Sequence, residues 1–188
     1  MTTLHWTSQD LERLPDDGRR YEIVDGELYV SIQPNANHHF VGALIWEQLQ
    51  IWSRQTKAGR TYITPGLIFT EDNDVVPDVA WISNERLAIG QQPDGHLHIA
   101  PELVVEILSP GAANERRDRE VKLSLYSRQG VLEYWIVSWQ ECRIEVYRRE
   151  GTRLTLAQTL YKNDRMLSPH LQGFSCHVSQ FFDDTEIR

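Results

Sequence analysis

The apolar positions of this chain fall into short segments whose period changes along its length. Tyr21-Glu22-Ile23-Val24 and Glu27-Leu28-Tyr29-Val30 alternate with period two around Asp25-Gly26, the pattern of two strands joined by a tight turn. A two-residue loop sets Tyr21 opposite Val30 and Ile23 opposite Leu28. These four then share one apolar face, and Glu22, Val24, Glu27 and Tyr29 take the other. Ahead of the hairpin, Thr7-Ser8-Gln9-Asp10 before Leu11-Glu12-Arg13-Leu14 predicts a short helix with Thr7 as N-cap, ended by Pro15-Asp16-Asp17-Gly18. After it, Pro34-Asn35-Ala36-Asn37 opens a helix over about residues 38–55, where Val41, Leu44, Ile45, Leu49 and Trp52 recur at helical spacing.

Further along, residues 62–69 read as one strand interrupted by Pro65-Gly66, an edge or a bulge. Two apolar, β-branched runs follow, Val75–Ile82 and Leu103–Pro110, separated by a polar loop over about residues 90–98. Residues 112–128 predict a charged helix carrying Val121, Leu123, Leu125 and Tyr126, with Gln129-Gly130 as its C-cap. Val131–Val137 reads as a strand, residues 143–148 and 154–160 as a closing hairpin turning near Glu150-Gly151, and Val178–Phe182 as a last helical turn. Strand, helix and strand over residues 103–137 resemble a βαβ unit with hairpins before and after. The class is α/β or α+β: a central mixed sheet flanked by helices, with an N-terminal hairpin extension. No repeat or long linker divides the chain, so residues 1–188 read as one domain with a helical lead-in over 1–20.

The two apolar runs each carry one acid, Asp78 and Glu106. A carboxylate in such a run costs several kcal/mol unless it is paired or binds a cation. On a strand Asp78 lies with Val76 and Ala80, and Glu106 with Val104 and Leu108. If the strands are neighbours, both acids converge on one divalent ion, and hard oxygen ligands suit Mg²⁺ or Mn²⁺. Lys122, near the middle of the charged helix, has a stem long enough to reach back over the sheet. Two carboxylates, an ion and an ammonium suit the hydrolysis of a phosphodiester.

Composition narrows the classes. The chain is 40% hydrophobic and 24% charged with a net charge of −8, which argues against non-specific coating of nucleic acid but leaves room for a local basic groove. Two cysteines and the absence of a signal-like N-terminus or an apolar run of membrane-spanning length point to a reducing cytoplasm. There is no Cys-x-x-Cys, Gly-x-Gly-x-x-Gly or Gly-x-Ser-x-Gly, so zinc fingers, dinucleotide folds and serine hydrolases have no support.

The ordered set Tyr21-Glu22-x-x-x-Gly26-Glu27-Leu28, His38, Pro77-Asp78, Glu106-Ile107-Leu108-Ser109-Pro110, Asp118-x-x-x-Lys122-x-x-x-Tyr126 and Gly130-Val131-x-Glu133-Tyr134-Trp135-Ile136-Val137 resembles the Uma-two family of candidate endonucleases. That family belongs to the restriction-endonuclease-like, or PD-(D/E)XK, superfamily. The resemblance spans roughly Tyr21 to Phe182 and implies a restriction-endonuclease-like fold with the site at the core of its sheet. It implies Asp78 and Glu106 as metal carboxylates, the main-chain carbonyl of Ile107 as a further ligand, and Lys122 as the catalytic lysine. Two positions depart from the pattern: Leu108 stands where the superfamily has its lysine, and Ser138 where the family commonly has Asp.

The expected activity is therefore Mg²⁺-dependent cleavage of DNA. The alternatives are a catalytically inactive module of the same fold, or a metal-dependent hydrolase of a smaller phosphate ester. Glu22, His38, Asp118 and Tyr126 are candidates for contacting substrate or supporting the ligands. For each a plain structural role competes, including an Asp118–Lys122 pair one helical turn apart and a buried pair between Glu106 and an arginine. Pro101-Glu102 is a rival proline–acid pair that reads better as strand entry. His96-x-His98 has metal spacing but no third ligand in view. Arg116, Arg117, Arg119, Lys122 and Arg128 form a basic run, either a solvated face or a surface that follows phosphates. Among six tryptophans, Trp46 or Trp139 suits a homodimer contact.

Overall fold

The computed structural model describes residues 4–31 and 35–182. Its elements in order are α1 (Ser8–Leu11), β1 (Arg20–Val24), β2 (Glu27–Ser31), α2 (Ala36–Thr56), β3 (Gly59–Ile63), β4 (Leu67–Thr70), β5 (Asn73–Val75), β6 (Val79–Ser83), α3 (Asn84–Gly90) and β7 (Leu103–Ile107). There follow α4 (Ala112–Arg116), a π-helical segment (Arg117–Lys122), α5 (Leu123–Gln129), β8 (Glu133–Ser138), β9 (Arg143–Glu150), β10 (Arg153–Tyr161), β11 (Arg165–Leu167), β12 (Ser175–His177) and a 3₁₀ turn (Val178–Phe181).

The main sheet has six strands in the order β10-β9-β8-β7-β6-β3 and is mixed: β7 and β8 are parallel, the other pairs antiparallel. A second sheet, β2-β1-β5-β4, carries the N-terminal hairpin, and β11 and β12 form a small ribbon. Because successive side chains alternate faces, the main sheet buries two cores. On one face Val79, Trp81, Val105, Ile107 and Trp135 pack under α2 with Val41, Ile45 and Leu49. On the other, Val104, Leu108, Tyr134 and Ile136 pack with Leu125 and Tyr126 of α5 and with Val24 and Val75 of the small sheet.

The caps follow from sequence. Asn35 accepts the His38 N–H at 2.9 Å to start α2, and Gly130, at φ 92°, ends α5 in the left-handed conformation. Thr7 caps α1, with the Asp10 carboxylate accepting the Thr7 N–H at 3.0 Å. Pro34, the first residue of the segment expected to open α2, lies outside the described residues.

Four expectations are corrected. The hairpin register is Tyr21↔Val30 and Ile23↔Leu28 as the turn dictates, but burial does not follow one face: Glu22 and Val24 are buried as well as Ile23, while Val30 is 47% exposed. Glu22 meets Lys122, so a buried carboxylate there is tolerated. The run 62–69 is two strands in different sheets, with Pro65-Gly66 carrying the chain from one to the other. The run Val75–Ile82 is likewise split at Val76–Asp78, where the chain returns from the small sheet to the large one. The charged helix is not uniform: six residues at its centre are π-helical. Helix α3 and the β11–β12 ribbon carry no periodic apolar pattern long enough to be foreseen.

Trp46 and Trp139, considered for a dimer contact, are partly buried against the α2-side core, and the Trp46 indole donates to the Thr61 carbonyl at 3.4 Å. No helix among the described residues is long and apolar enough to cross a membrane.

Candidate functional site

Strands β6 and β7 are antiparallel neighbours, with Val79↔Val105 and Ala80↔Val104 in register. Continued by one residue, that register sets Asp78 beside Glu106, so the two acids meet at the end of β6 where Pro77 has just released the chain from β5. Both are buried, and both line a cavity of about 20 Å³ together with Ile107, Asp118, Arg20 and Arg117. That is room for about one water or one small cation.

Each acid is held firmly. Asp78 Oδ1 accepts from Arg20 Nη1 at 3.0 Å. Its Oδ2 accepts the Ile107 N–H at 2.8 Å and lies 3.2 Å from His38 Nε2. Glu106 Oε1 accepts from Lys122 Nζ at 2.9 Å and from the Tyr126 hydroxyl at 2.8 Å. Lys122, only 1% exposed, also lies 2.8 Å from Glu22 Oε1, which in turn accepts the Val76 N–H at 2.8 Å. Asp118, one π-helical turn before Lys122, lies 3.4 Å from Arg117 Nε, and its carbonyl accepts the Tyr134 hydroxyl at 3.0 Å. In place of the competing surface pair with Asp118, Lys122 is buried and bridges Glu22 of the small sheet and Glu106 of the large one.

The cluster thus contains four carboxylates (Glu22, Asp78, Glu106, Asp118) and three fixed cations (Arg20, Arg117, Lys122), plus His38. With all four acids ionised, one negative charge would be left over. Burial raises the Asp78 carboxyl, but the His38 contact, Arg20 and the Ile107 N–H outweigh it and hold Asp78 well below the usual carboxylate range. For Glu106 burial is the largest influence and wins: against Lys122, and with Asp78, Asp118 and Glu22 nearby, the carboxyl is pushed up to about 8. Burial and Glu22 and Asp78 also raise Asp118, against Lys122 and Arg117. Lys122 is held charged: burial opposes it, but Glu106, Glu22 and Asp118 together prevail. One ammonium serving three acids remains fully stabilised, while the most crowded acid gives way.

A surplus of buried carboxylate fits a hard divalent cation, which such a cluster would bind through Asp78, Glu106 and the main chain at Ile107. Among the described residues no three His, Cys, Asp or Glu side chains are arranged to close around one ion. Mg²⁺ does not require that, since it keeps several waters and uses one or two carboxylates. Two orphaned buried atoms, Glu22 Oε2 and His38 Nδ1, are left without a partner.

The other candidates lie elsewhere. Glu102 is at the opposite end of β7, accepting the Ser83 N–H at 3.0 Å and facing Arg86 at 3.2 Å, and so anchors α3. His96 and His98 both face Asp94 in an exposed loop. The basic run splits: Arg117 turns to the cavity, while Arg116 pairs with Glu120, Arg119 with Glu145 and Arg128 with Asp25. Glu133 ties β8 to Arg148 at 3.0 Å and Ser168 at 3.1 Å, not to the helix. Leu108, in the position where a lysine was expected, is buried in the apolar core. A larger cavity of about 680 Å³ beside α5 and the β9–β10 turn is lined by Arg119, Arg128, Arg149 and Arg153. It holds no acid pair, and Arg149 is spent on the Ser127 and Val131 carbonyls at 2.6 and 2.8 Å. Size therefore does not mark the site; the paired acids do. Arg20 was missed, because an arginine at the start of a strand carries no signature of its partner.

Residues 8–179 match the model of the Uma2 family, described as "Putative restriction endonuclease". None of the curated proteins compared matches. Among solved structures, "a putative nuclease belonging to DUF820" from Anabaena variabilis superposes with a TM-score of 0.72 at 17% identity, over 94% of this chain and 97% of that one. At that identity the likeness establishes the restriction-endonuclease-like fold.

Proposed function

We propose, from the premise that this chain belongs to the Uma2 family, that it is a divalent-metal-dependent endonuclease acting on DNA. The observation that carries the reading is the meeting of Asp78 and Glu106 at one small cavity with the Lys122 ammonium against Glu106. Asp78, Glu106 and the Ile107 carbonyl would hold Mg²⁺ or Mn²⁺. Such an ion would neutralise phosphate charge and supply an activated water.

The chain's own side chains prepare that role. His38 and the Ile107 N–H fix one oxygen of Asp78. Tyr126 fixes Glu106, and Glu22 positions Lys122. Lys122 then keeps a permanent positive charge directly behind Glu106, polarising that acid and the ion it would hold, in place of the strand lysine that Leu108 replaces. Arg117, anchored by Asp118, adds positive charge at the mouth. The test is cleavage of plasmid and short duplexes with Mg²⁺ or Mn²⁺ beside Asp78→Ala and Glu106→Ala. Activity surviving both changes would remove this mechanism.

One observation favours a second reading, a non-catalytic module: both acids already have cationic partners in the chain. Calorimetry with Mn²⁺ separates the two, since saturable binding that disappears in Glu106→Ala favours the enzyme. Cleavage of a model phosphodiester without cleavage of DNA would instead indicate a smaller substrate. Cytoplasmic location and a homodimer complete the reading; sedimentation as a monomer would remove the latter.

A further inference from the structure

The two oxygens of Asp78 are held in different ways. Oδ2 is fixed by a backbone amide and by His38, whose side chain is 6% exposed. Oδ1 is held by Arg20 alone among the described contacts, at 3.0 Å. The Arg20 side chain is 24% exposed at the mouth of the cavity, and its same nitrogen also donates to the Val76 carbonyl at 3.2 Å. Arg117, the other guanidinium lining the cavity, is 13% exposed and is tied to both Asp118 and Ser31. Of the two arginines, Arg20 is the more exposed and the one seated on an oxygen of a proposed ligand, which a cation would contest.

We propose that Arg20 is a latch displaced by the metal: it occupies Asp78 Oδ1 until a divalent ion takes that oxygen, and the released guanidinium then binds a phosphate of the DNA strand at the cavity mouth. The inference rests on the metal-dependent reading given above. An ion at Oδ1 would repel the Arg20 guanidinium at such short range and compete with it for the lone pairs of that oxygen, so each weakens the other's hold. The expelled guanidinium remains charged, and its planar fork matches two phosphate oxygens. Loading the ion and gripping the strand are thereby linked: the ion supplies the vacancy on Arg20 that the phosphate fills. Arg20 is a positioning residue in the free protein and a substrate contact in the loaded one.

The linkage gives opposite signs for two measurements, which a scaffold role would not. With Mn²⁺ alone, Arg20→Gln removes the competitor and should tighten binding about tenfold by calorimetry, the scale of one charged hydrogen bond. With a short duplex followed by fluorescence anisotropy, Ca²⁺ should raise the affinity of the wild-type protein several-fold more than that of Arg20→Gln, which keeps only the ion's own contact with phosphate. Arg20→Lys, which keeps the charge without the fork, should bind Mn²⁺ nearly as the wild type does and the duplex more weakly; it serves if the glutamine variant does not fold. A folded Arg20→Gln whose Mn²⁺ affinity is unchanged or weaker overturns the latch and leaves the metal reading standing. A wild-type protein that binds no Mn²⁺ overturns both.

Discussion

Removing the Lys122 ammonium would leave the buried Glu22 and Glu106 facing each other, at 2.8 and 2.9 Å from where the charge had been. Breaking a buried pair by deleting one partner costs about 3–5 kcal/mol, so Lys122→Met should lower the unfolding free energy on that scale, read as a lower urea midpoint. Adding Glu22→Gln to the same chain should recover part of the loss. Glu106 gives a pH dependence. Its carboxyl is raised in the folded protein, to about 8, by burial above all, so the folded state holds a proton there that the unfolded chain has released. The stability this provides is complete below the unfolded carboxylate range and is lost as pH rises through about 8. Cation binding must expel the same proton. Mn²⁺ affinity should therefore climb with pH towards about 8 and flatten above it, measured by titrations at a series of pH values. At this scale the sequence was informative where an acid interrupts an apolar run, which is how Asp78 and Glu106 stand out. Arg20 is invisible in it because its partner lies 58 residues away, and only the fold brings the two together.

The π-helical segment sets which way the charged helix presents its side chains. A π turn adds a residue to the helical path and is often found at functional sites. Here it buries Asp118 and Lys122 while α5 beyond it buries Leu125 and Tyr126. Deleting the exposed Glu120 should restore a regular helix and turn Lys122 out of register. Circular dichroism should keep its helical signal while Mn²⁺ binding in calorimetry weakens or vanishes. At the sheet edge, a Cβ on Gly59 would lie 2.2 Å from the Ile82 carbonyl oxygen, and that oxygen is backbone and does not yield. Gly59→Ala should cost about 1–3 kcal/mol, as overpacked sites do, seen as a lower melting temperature. Long periodic elements were legible: the hairpin register, α2, β7, β8 and the β9–β10 hairpin follow from their patterns. Propensity could not reveal the π turn, since it changes no residue type, nor that Pro65-Gly66 and Val76–Asp78 pass between sheets. That Glu22 is buried as well as Ile23 depends on Lys122, a tertiary partner that alternation alone does not name.

Across the whole molecule, the site draws on both sheets. Glu22 and Arg20 belong to β1 of the small sheet and Glu106 to β7 of the large one, and Asp78 sits in the stretch that passes between the two sheets. A ligand that binds only the folded state stabilises it by about 2.7 kcal/mol at a hundredfold excess over its dissociation constant. Mn²⁺ should therefore raise the melting temperature of the wild-type protein and leave that of Glu106→Gln unchanged. The split has a further result. Strand β1 supplies none of the proposed ligands, yet Lys122 and Asp78 are each tied to it. By the proposed latch, an ion at Asp78 would free Arg20 and leave the Glu22–Lys122 contact as the tie between the site and β1. Amide hydrogens of Glu22 and Ile23 should then exchange with deuterium faster once the ion is in place, although neither residue touches it.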